Sequence, residues 1–171
     1  MEGIQGYFND KVVLLTGATG LLGKVLTEKI LRDLSCIRRL YVLIRPKYLP
    51  DGTVLSAQER LRLEVLGTSA FDHLRRIQGQ AFSALAEEKV VAIAGDLSQK
   101  HLGLEAPTYK RLQEEVQVII NSAAMVTFDG ALDAALELNT LGPKRVMEFA
   151  QRGRCSAIVH ISTCYVNGTR E

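Results

Sequence analysis

The sequence predicts an α/β domain built on a doubly wound parallel sheet, and three observations carry that prediction. Short β-prone apolar runs alternate with helical patterns along most of the chain. The first run, Val12-Val13-Leu14-Leu15-Thr16, passes straight into a turn with glycines at 17, 20 and 23, and a helical pattern follows at once. The conspicuous polar residues Arg45, Asp96, Asn121-Ser122 and Ser162-Thr163 stand at the ends of predicted strands. That is the edge at which open α/β sheets bind ligands.

The first strand is Val12–Thr16, and the helix after it spans about 21–34, with Leu22, Val25, Leu26, Ile30 and Leu34 at intervals of three and four. The second strand, 40–44, is the continuous apolar run Leu-Tyr-Val-Leu-Ile expected where both faces of a strand are covered. Pro46 stops it. A long insertion, about 46–89, follows, with a Pro-Asp-Gly turn at 50–52 and helical stretches around 55–66 and 69–87. Arg60, Arg62, His73, Arg75 and Arg76 make the insertion locally basic, either as a solvated face or as a docking surface for a phosphate-bearing substrate carrier. The third strand is Val90–Ala94, the next helix about 107–115, the fourth strand 116–120, a long helix about 131–151, and the fifth strand 157–161. Right-handed crossovers between such strands give the order 3-2-1-4-5.

Composition narrows the function classes. The chain has 171 residues, one domain's worth, and nearly half are hydrophobic. A net charge of +2 is too small for the basic stripe of a nucleic-acid binder. No apolar run approaches the ~20 residues of a membrane span, and the first residues lack the basic and apolar regions of a signal peptide. The cysteines, Cys36, Cys155 and Cys164, are odd in number and have no metal-ligand spacing, so no metal site is expected and a reducing cytoplasm fits.

Each glycine of the first turn has a physical task. Gly17 permits the sharp exit from the strand, Gly20 admits a pyrophosphate to the backbone, and Gly23 lets helix and strand pack closely. The helix start, with Leu21 and Leu22, offers unpaired N–H groups and the positive dipole end to phosphate. The ladder Leu132, Ala135, Leu136, Asn139, Gly142, Val146 and Phe149 puts an amide inside an apolar stripe. Pro143, four residues after Asn139, has no N–H. The helix should therefore kink near Gly142-Pro143 and turn the Asn139 carbonyl off its ladder.

The motifs Gly17-x-x-Gly20-x-x-Gly23, Gly95-Asp96-Leu97, Asn121-Ser122-Ala123-Ala124 and Ser162-Thr163 resemble the extended short-chain dehydrogenase/reductase superfamily with its Rossmann fold. Within it the chain is most similar to the fatty acyl-CoA reductases of the male-sterility type. Thr16-Gly-Ala-Thr-Gly-Leu-Leu-Gly, Tyr41-Val-Leu-Ile-Arg-Pro-Lys, Val126-Thr-Phe-Asp and Ile161-Ser-Thr-Cys-Tyr-Val-Asn-Gly carry that similarity. The resemblance implies NADPH-dependent reduction of a fatty acyl thioester, on CoA or a carrier protein, either to aldehyde or, with a second hydride, on to alcohol. The terminal reductase domains of peptide and polyketide synthases share much of the pattern, and a non-catalytic NADP(H) sensor is the contrasting class.

The resemblance also assigns roles. Gly17, Thr19, Gly20, Leu21, Leu22 and Gly23 would hold the pyrophosphate. Arg45 would meet the 2′-phosphate, with Lys47 as a second cation, where an NAD enzyme carries an acid. Asp96 would accept from the adenine amino group beside Leu97, unless it only caps a turn. Ser122, Ala123 and Ala124 would let backbone and cofactor touch. Thr163, with Ser162 beside it, would hydrogen-bond the substrate carbonyl, unless it makes only local turn bonds. The Asn139 carbonyl would hold a water of the proton relay, unless its amide is satisfied in the core.

The superfamily's acid is a tyrosine with a lysine four residues on, and here only Tyr7 and Lys11 have that spacing. They precede the first strand, out of reach of the site. The expected pair would follow residue 171. The chain thus reads as one dinucleotide-binding domain, 1–171, the N-terminal part of a longer reductase cut before its later strands. By itself it is expected to be inactive. The fifth strand is left as an apolar edge, which predicts a homodimer through that edge unless residues 166–171 fold back over it.

Overall fold

The computed structural model describes residues 3–127 and 130–163. A short helix, Ile4–Phe8, leads into β1 (Val12–Thr16), all five of whose residues are buried. Side chains alternate across a strand. Val13 and Leu15 accordingly face one core layer, with Ile30, Leu31, Leu61, Phe71 and Leu74. Val12 and Leu14 face the other, with Leu102, Leu112, Val146 and Phe149.

The helix Leu21–Asp33 returns the chain to β2 (Arg39–Ile44), which pairs parallel to β1. The insertion opens with an antiparallel hairpin of β3 (Lys47–Tyr48) and β4 (Val54–Leu55), a pairing the sequence did not announce. Its predicted Pro-Asp-Gly turn holds: the Thr53 N–H donates to Asp51 Oδ1 at 2.9 Å. The first helical stretch starts at Ala57 under a capping box between Ser56 and Glu59, and passes into a π segment, Leu61–Leu66. The second is broken into Ser69–Phe71, Asp72–Gln78 and Ala81–Lys89.

β5 (Val90–Ala94) follows, then the helix Ala106–Glu115 and β6 (Val118–Asn121). β6 starts two residues later than predicted because the Val116 N–H still bonds the Leu112 carbonyl, at 2.9 Å, as the helix cap. β7 (Ala157–His160) closes the sheet, one residue shorter than predicted. The sheet order is β5-β2-β1-β6-β7, which is the expected third-second-first-fourth-fifth arrangement, parallel throughout.

The loop from Asp96 to β6 carries unusual backbone. His101 and Leu102 have φ of 53° and 60°, and Gly103 continues the left-handed run at 66°. Such geometry costs about 1–3 kcal/mol for each residue other than glycine. Complete burial of Leu102, together with its carbonyl accepting the Asp96 N–H at 2.7 Å, offsets that cost.

The long helix is three consecutive pieces: Leu132–Leu136, a π segment Glu137–Leu141, and Gly142–Gln151. The discontinuity expected at Gly142-Pro143 takes the form of that π turn, in which the Gly142 N–H reaches back to the Glu137 carbonyl. One prediction here is corrected. Asn139 is exposed, not held in an apolar stripe, and Leu132 and Leu136 beside it are 73% and 47% exposed.

Candidate functional site

At the carboxyl edge of β1, β2, β5 and β6 lies a cleft of ≈ 240 Å³. Of the residues expected to hold a cofactor, Gly17, Thr19, Gly20, Arg45, Asp96, Leu97, Ser122, Ala123 and Ala124 all line it, joined by Thr16, Leu43, Gly95 and Leu138.

The floor of the cleft is a backbone-to-backbone contact. Gly17 has φ of +72°, and a Cβ there would come within 2.7 Å of Ser122 and Ala123 backbone atoms. Gly23 is tighter, its Cβ falling 2.1 Å from the Gly17 carbonyl oxygen. A Cβ on Gly20 would meet only the Gly17 carbonyl, at 3.4 Å, so the side facing the cleft is open. This cradle fits a dinucleotide pyrophosphate, which needs bare backbone on one side and a close helix on the other. The helix begins on Gly20 with no side-chain cap, leaving the N–H groups of its first turn without intrahelical acceptors. Leu21 and Leu22 stand in that turn with side chains 82% and 45% exposed, so only their backbone can serve a phosphate.

Thr16 joins the parts. Its buried hydroxyl donates to Asn121 Oδ1 at 2.5 Å and accepts the N–H groups of Ser122 and Ala123 at 3.2 Å each. Asn121 Nδ2 lies 3.0 Å from His160 Nδ1, so one side-chain network ties together the ends of β1, β6 and β7. Neither Thr16 nor His160 was expected to matter. A threonine closing an apolar strand is a common β-former, and nothing local in the sequence marks its hydroxyl as a bridge.

At the β2 end, Arg45 is largely exposed, and its Nη1 lies 3.8 Å from Asp96 Oδ2. The other Asp96 oxygen accepts both the N–H and the hydroxyl of Ser98, at 2.8 Å each. The turn-capping alternative for Asp96 is thus present, and it occupies one oxygen. Lys47 is not beside Arg45 in the cleft: its Nζ lies 3.4 Å from Glu64. Three of the insertion's basic residues, His73, Arg75 and Arg76, are also engaged. Arg75 bonds the Leu66 and Thr68 carbonyls and Asp72, while Arg76 meets His73.

The residues expected to act on substrate do not line the cleft. Ser162 and Thr163 follow β7 just past the point where the Ile161 N–H bonds the Asn121 carbonyl, and both are exposed. Asn139 grips the backbone of Met125 at two points, accepting its N–H at 2.8 Å and donating to its carbonyl at 2.9 Å. Neighbouring Leu138 lines the cleft, so this clamp fixes the loop beside the site. Phe128, Asp129 and everything from Cys164 onward, Tyr165 included, lie outside the described residues. The Tyr7 hydroxyl reaches Ser156 at 3.4 Å, before the start of β7, and Lys11 sits over the Tyr7 ring. That is the opposite edge of the sheet from the cleft.

Among the described residues no helix is long and apolar enough to cross a membrane. Residues 15–171 match the family profile described as male sterility protein, an NAD-binding family. The chain is 37% identical over 170 residues to "Fatty acyl-CoA reductase 2, chloroplastic" of Arabidopsis thaliana, covering 99% of this chain and 27% of that protein. It is 39% identical to "Fatty acyl-CoA reductase 1" of Arabidopsis thaliana, over 95% of this chain and 33% of the relative. The chain thus spans about a third of the length of these relatives. Among solved structures it is similar to the terminal R domain from the myxalamid PKS-NRPS biosynthetic pathway. The TM-score is 0.71 at 30% identity, with 91% of this chain and 35% of that one covered. The glycine cradle, the sheet order and these matches agree, and the chain belongs to the male sterility family of NAD-binding domains, as a member similar to the fatty acyl-CoA reductases.

Proposed function

We propose that this chain provides the NADPH-binding part of a reductase of fatty acyl thioesters. The observation that carries the reading is the pairing of Arg45 with Asp96 at the far corner of a cleft whose near corner is the glycine cradle. A cation at the end of the second strand, where an NAD enzyme carries an acid, suits the 2′-phosphate of NADPH. The Asp96 oxygen that faces Arg45 would also accept from an adenine amino group. The glycine backbone and the first turn of the helix Leu21–Asp33 would hold the pyrophosphate. NADPH, when bound, supplies the hydride.

The chain's own contribution to the chemistry would be positioning. Thr163 would donate a hydrogen bond to the thioester carbonyl, with Ser162 beside it, and the Asn139 clamp would hold the Met125 loop against the same region. The general acid is not among the described residues, since Tyr7 and Lys11 lie at the wrong edge. A carrier-protein thioester is the second reading, favoured by the likeness to the myxalamid R domain. The free thiols of Cys36 and Cys155 suit a reducing cytoplasm.

Calorimetric titration with NADPH and NADH tests the cofactor assignment. Hydrogen bonds to a charged group contribute roughly 1.5–3 kcal/mol, or about ten- to a hundredfold in affinity. NADPH should bind tighter by that factor, and Arg45→Ala should erase the preference. Equal affinities in the unsubstituted protein would sink the assignment. In the longer reductase, acyl-CoA and acyl-carrier substrates compared at equal concentration separate the two donors.

A further inference from the structure

The insertion delivers one arginine to the back of the cofactor cleft. Arg60 sits at the end of the four-residue helix Ala57–Arg60, whose start is fixed by the Ser56–Glu59 capping box. Its side chain is only 14% exposed. Nη1 donates to the Arg45 carbonyl at 2.5 Å, while Nε and Nη2 both donate to Glu64 Oε2, at 3.0 and 2.7 Å. The Arg60 guanidinium holds the Glu64 carboxyl below the ordinary carboxylate range. Glu64 in turn takes Lys47, the first residue of β3.

Arg45 itself has little else to hold it. Its side chain is 62% exposed, Asp96 is 3.8 Å away, and Pro46 follows it, so the next residue has no N–H to donate. We propose that Arg60 is a positioning residue for 2′-phosphate recognition, fixing the Arg45 backbone so that the Arg45 guanidinium faces the corner of the cleft beside Asp96. This rests on the assignment of Arg45 to the 2′-phosphate. The task requires arginine. Its planar fork holds a carboxylate through Nε and Nη2 and a carbonyl through Nη1, which the single ammonium of lysine cannot match. It also gives the insertion a purpose: the first helix acts as a buttress, not as a docking surface.

The test uses two probes that differ only in the phosphate, 2′,5′-ADP and 5′-AMP, titrated calorimetrically into the unsubstituted protein, Arg60→Gln and Arg60→Lys. Arg60→Gln should lose about tenfold in its preference for 2′,5′-ADP, with 5′-AMP affinity unchanged, and Arg60→Lys should fall between. Unchanged 5′-AMP affinity is the sign that a variant is folded and its adenosine site intact. Should the unsubstituted protein bind both probes equally, the 2′-phosphate assignment falls and takes the buttress with it. Discrimination that survives in both variants overturns the buttress alone. A parallel loss of both probes in both variants would also overturn it, by making Arg60 a residue of general stability.

Discussion

Two regions along the carboxyl edge of the sheet are built in different ways. At the glycine end the geometry is fixed by backbone against backbone: Gly17 on Ser122 and Ala123, Gly23 on Gly17. At the end toward β7, Asn139, Ser162 and Thr163 are exposed side chains on a π turn and a strand terminus. The first end can hold a ligand with what the sheet provides. The second depends on loops, and on hydrogen bonds from one exposed amide. Under the proposed function, cofactor binding would be the robust property of this domain and substrate positioning the sensitive one.

The largest way to break that contrast is at the rigid end. Gly23→Ala drives a Cβ into the Gly17 carbonyl oxygen at 2.1 Å. It should lose nucleotide binding altogether and about 1–3 kcal/mol of stability. Denaturant unfolding with and without NADPH measures both, and a variant still stabilised by the nucleotide would show that the cradle can yield. A smaller effect is expected at the soft end. Asn139→Ala frees both backbone groups of Met125, each hydrogen bond contributing roughly 1 kcal/mol at most on an exposed loop. In an active reductase that contains this chain, turnover should fall about tenfold with nucleotide affinity nearly unchanged. Equal losses in both would mean that Asn139 supports the whole cleft. The smallest effect concerns β7, the edge strand among the described residues, with Ile158 and Val159 at 40% and 50% exposure. Sedimentation at micromolar concentration should show weak self-association that declines in Val159→Lys. A clean monomer would show that the edge is harmless.

Much of the rigid end was legible in the sequence because it is written in short local patterns. A buried parallel strand is a continuous apolar run, and a turn that no Cβ can enter must be glycine. The five sheet strands, their order, and nine of the residues that line the cleft, from Gly17 to Ala124, follow from those patterns. What was not legible depends on partners distant in the chain. Helical spacing put Asn139 in an apolar stripe, but the π turn shifts the register and leaves its amide to Met125. Lys47 read as a cofactor cation because its distance from Arg45 is two residues; the hairpin turns it to Glu64. The Thr16–Asn121–His160 network joins three strand ends across more than a hundred residues, and no local window contains it.

The glycine contacts have a consequence for heredity. At Gly17 and Gly23 the atoms in the way belong to the main chain, which every amino acid shares. No second substitution elsewhere can therefore make room for a side chain, and lesions at these two positions should be beyond the reach of intragenic suppressors. Gly130 is the opposite case: a Cβ there would meet the terminal methyl of Met125 at 2.1 Å, the far end of a flexible side chain. Trimming Met125 to alanine, or a simple rotamer change, would absorb it. A lineage can thus wander at Gly130 and return, whereas a step away from glycine at 17 or 23 closes the route behind it.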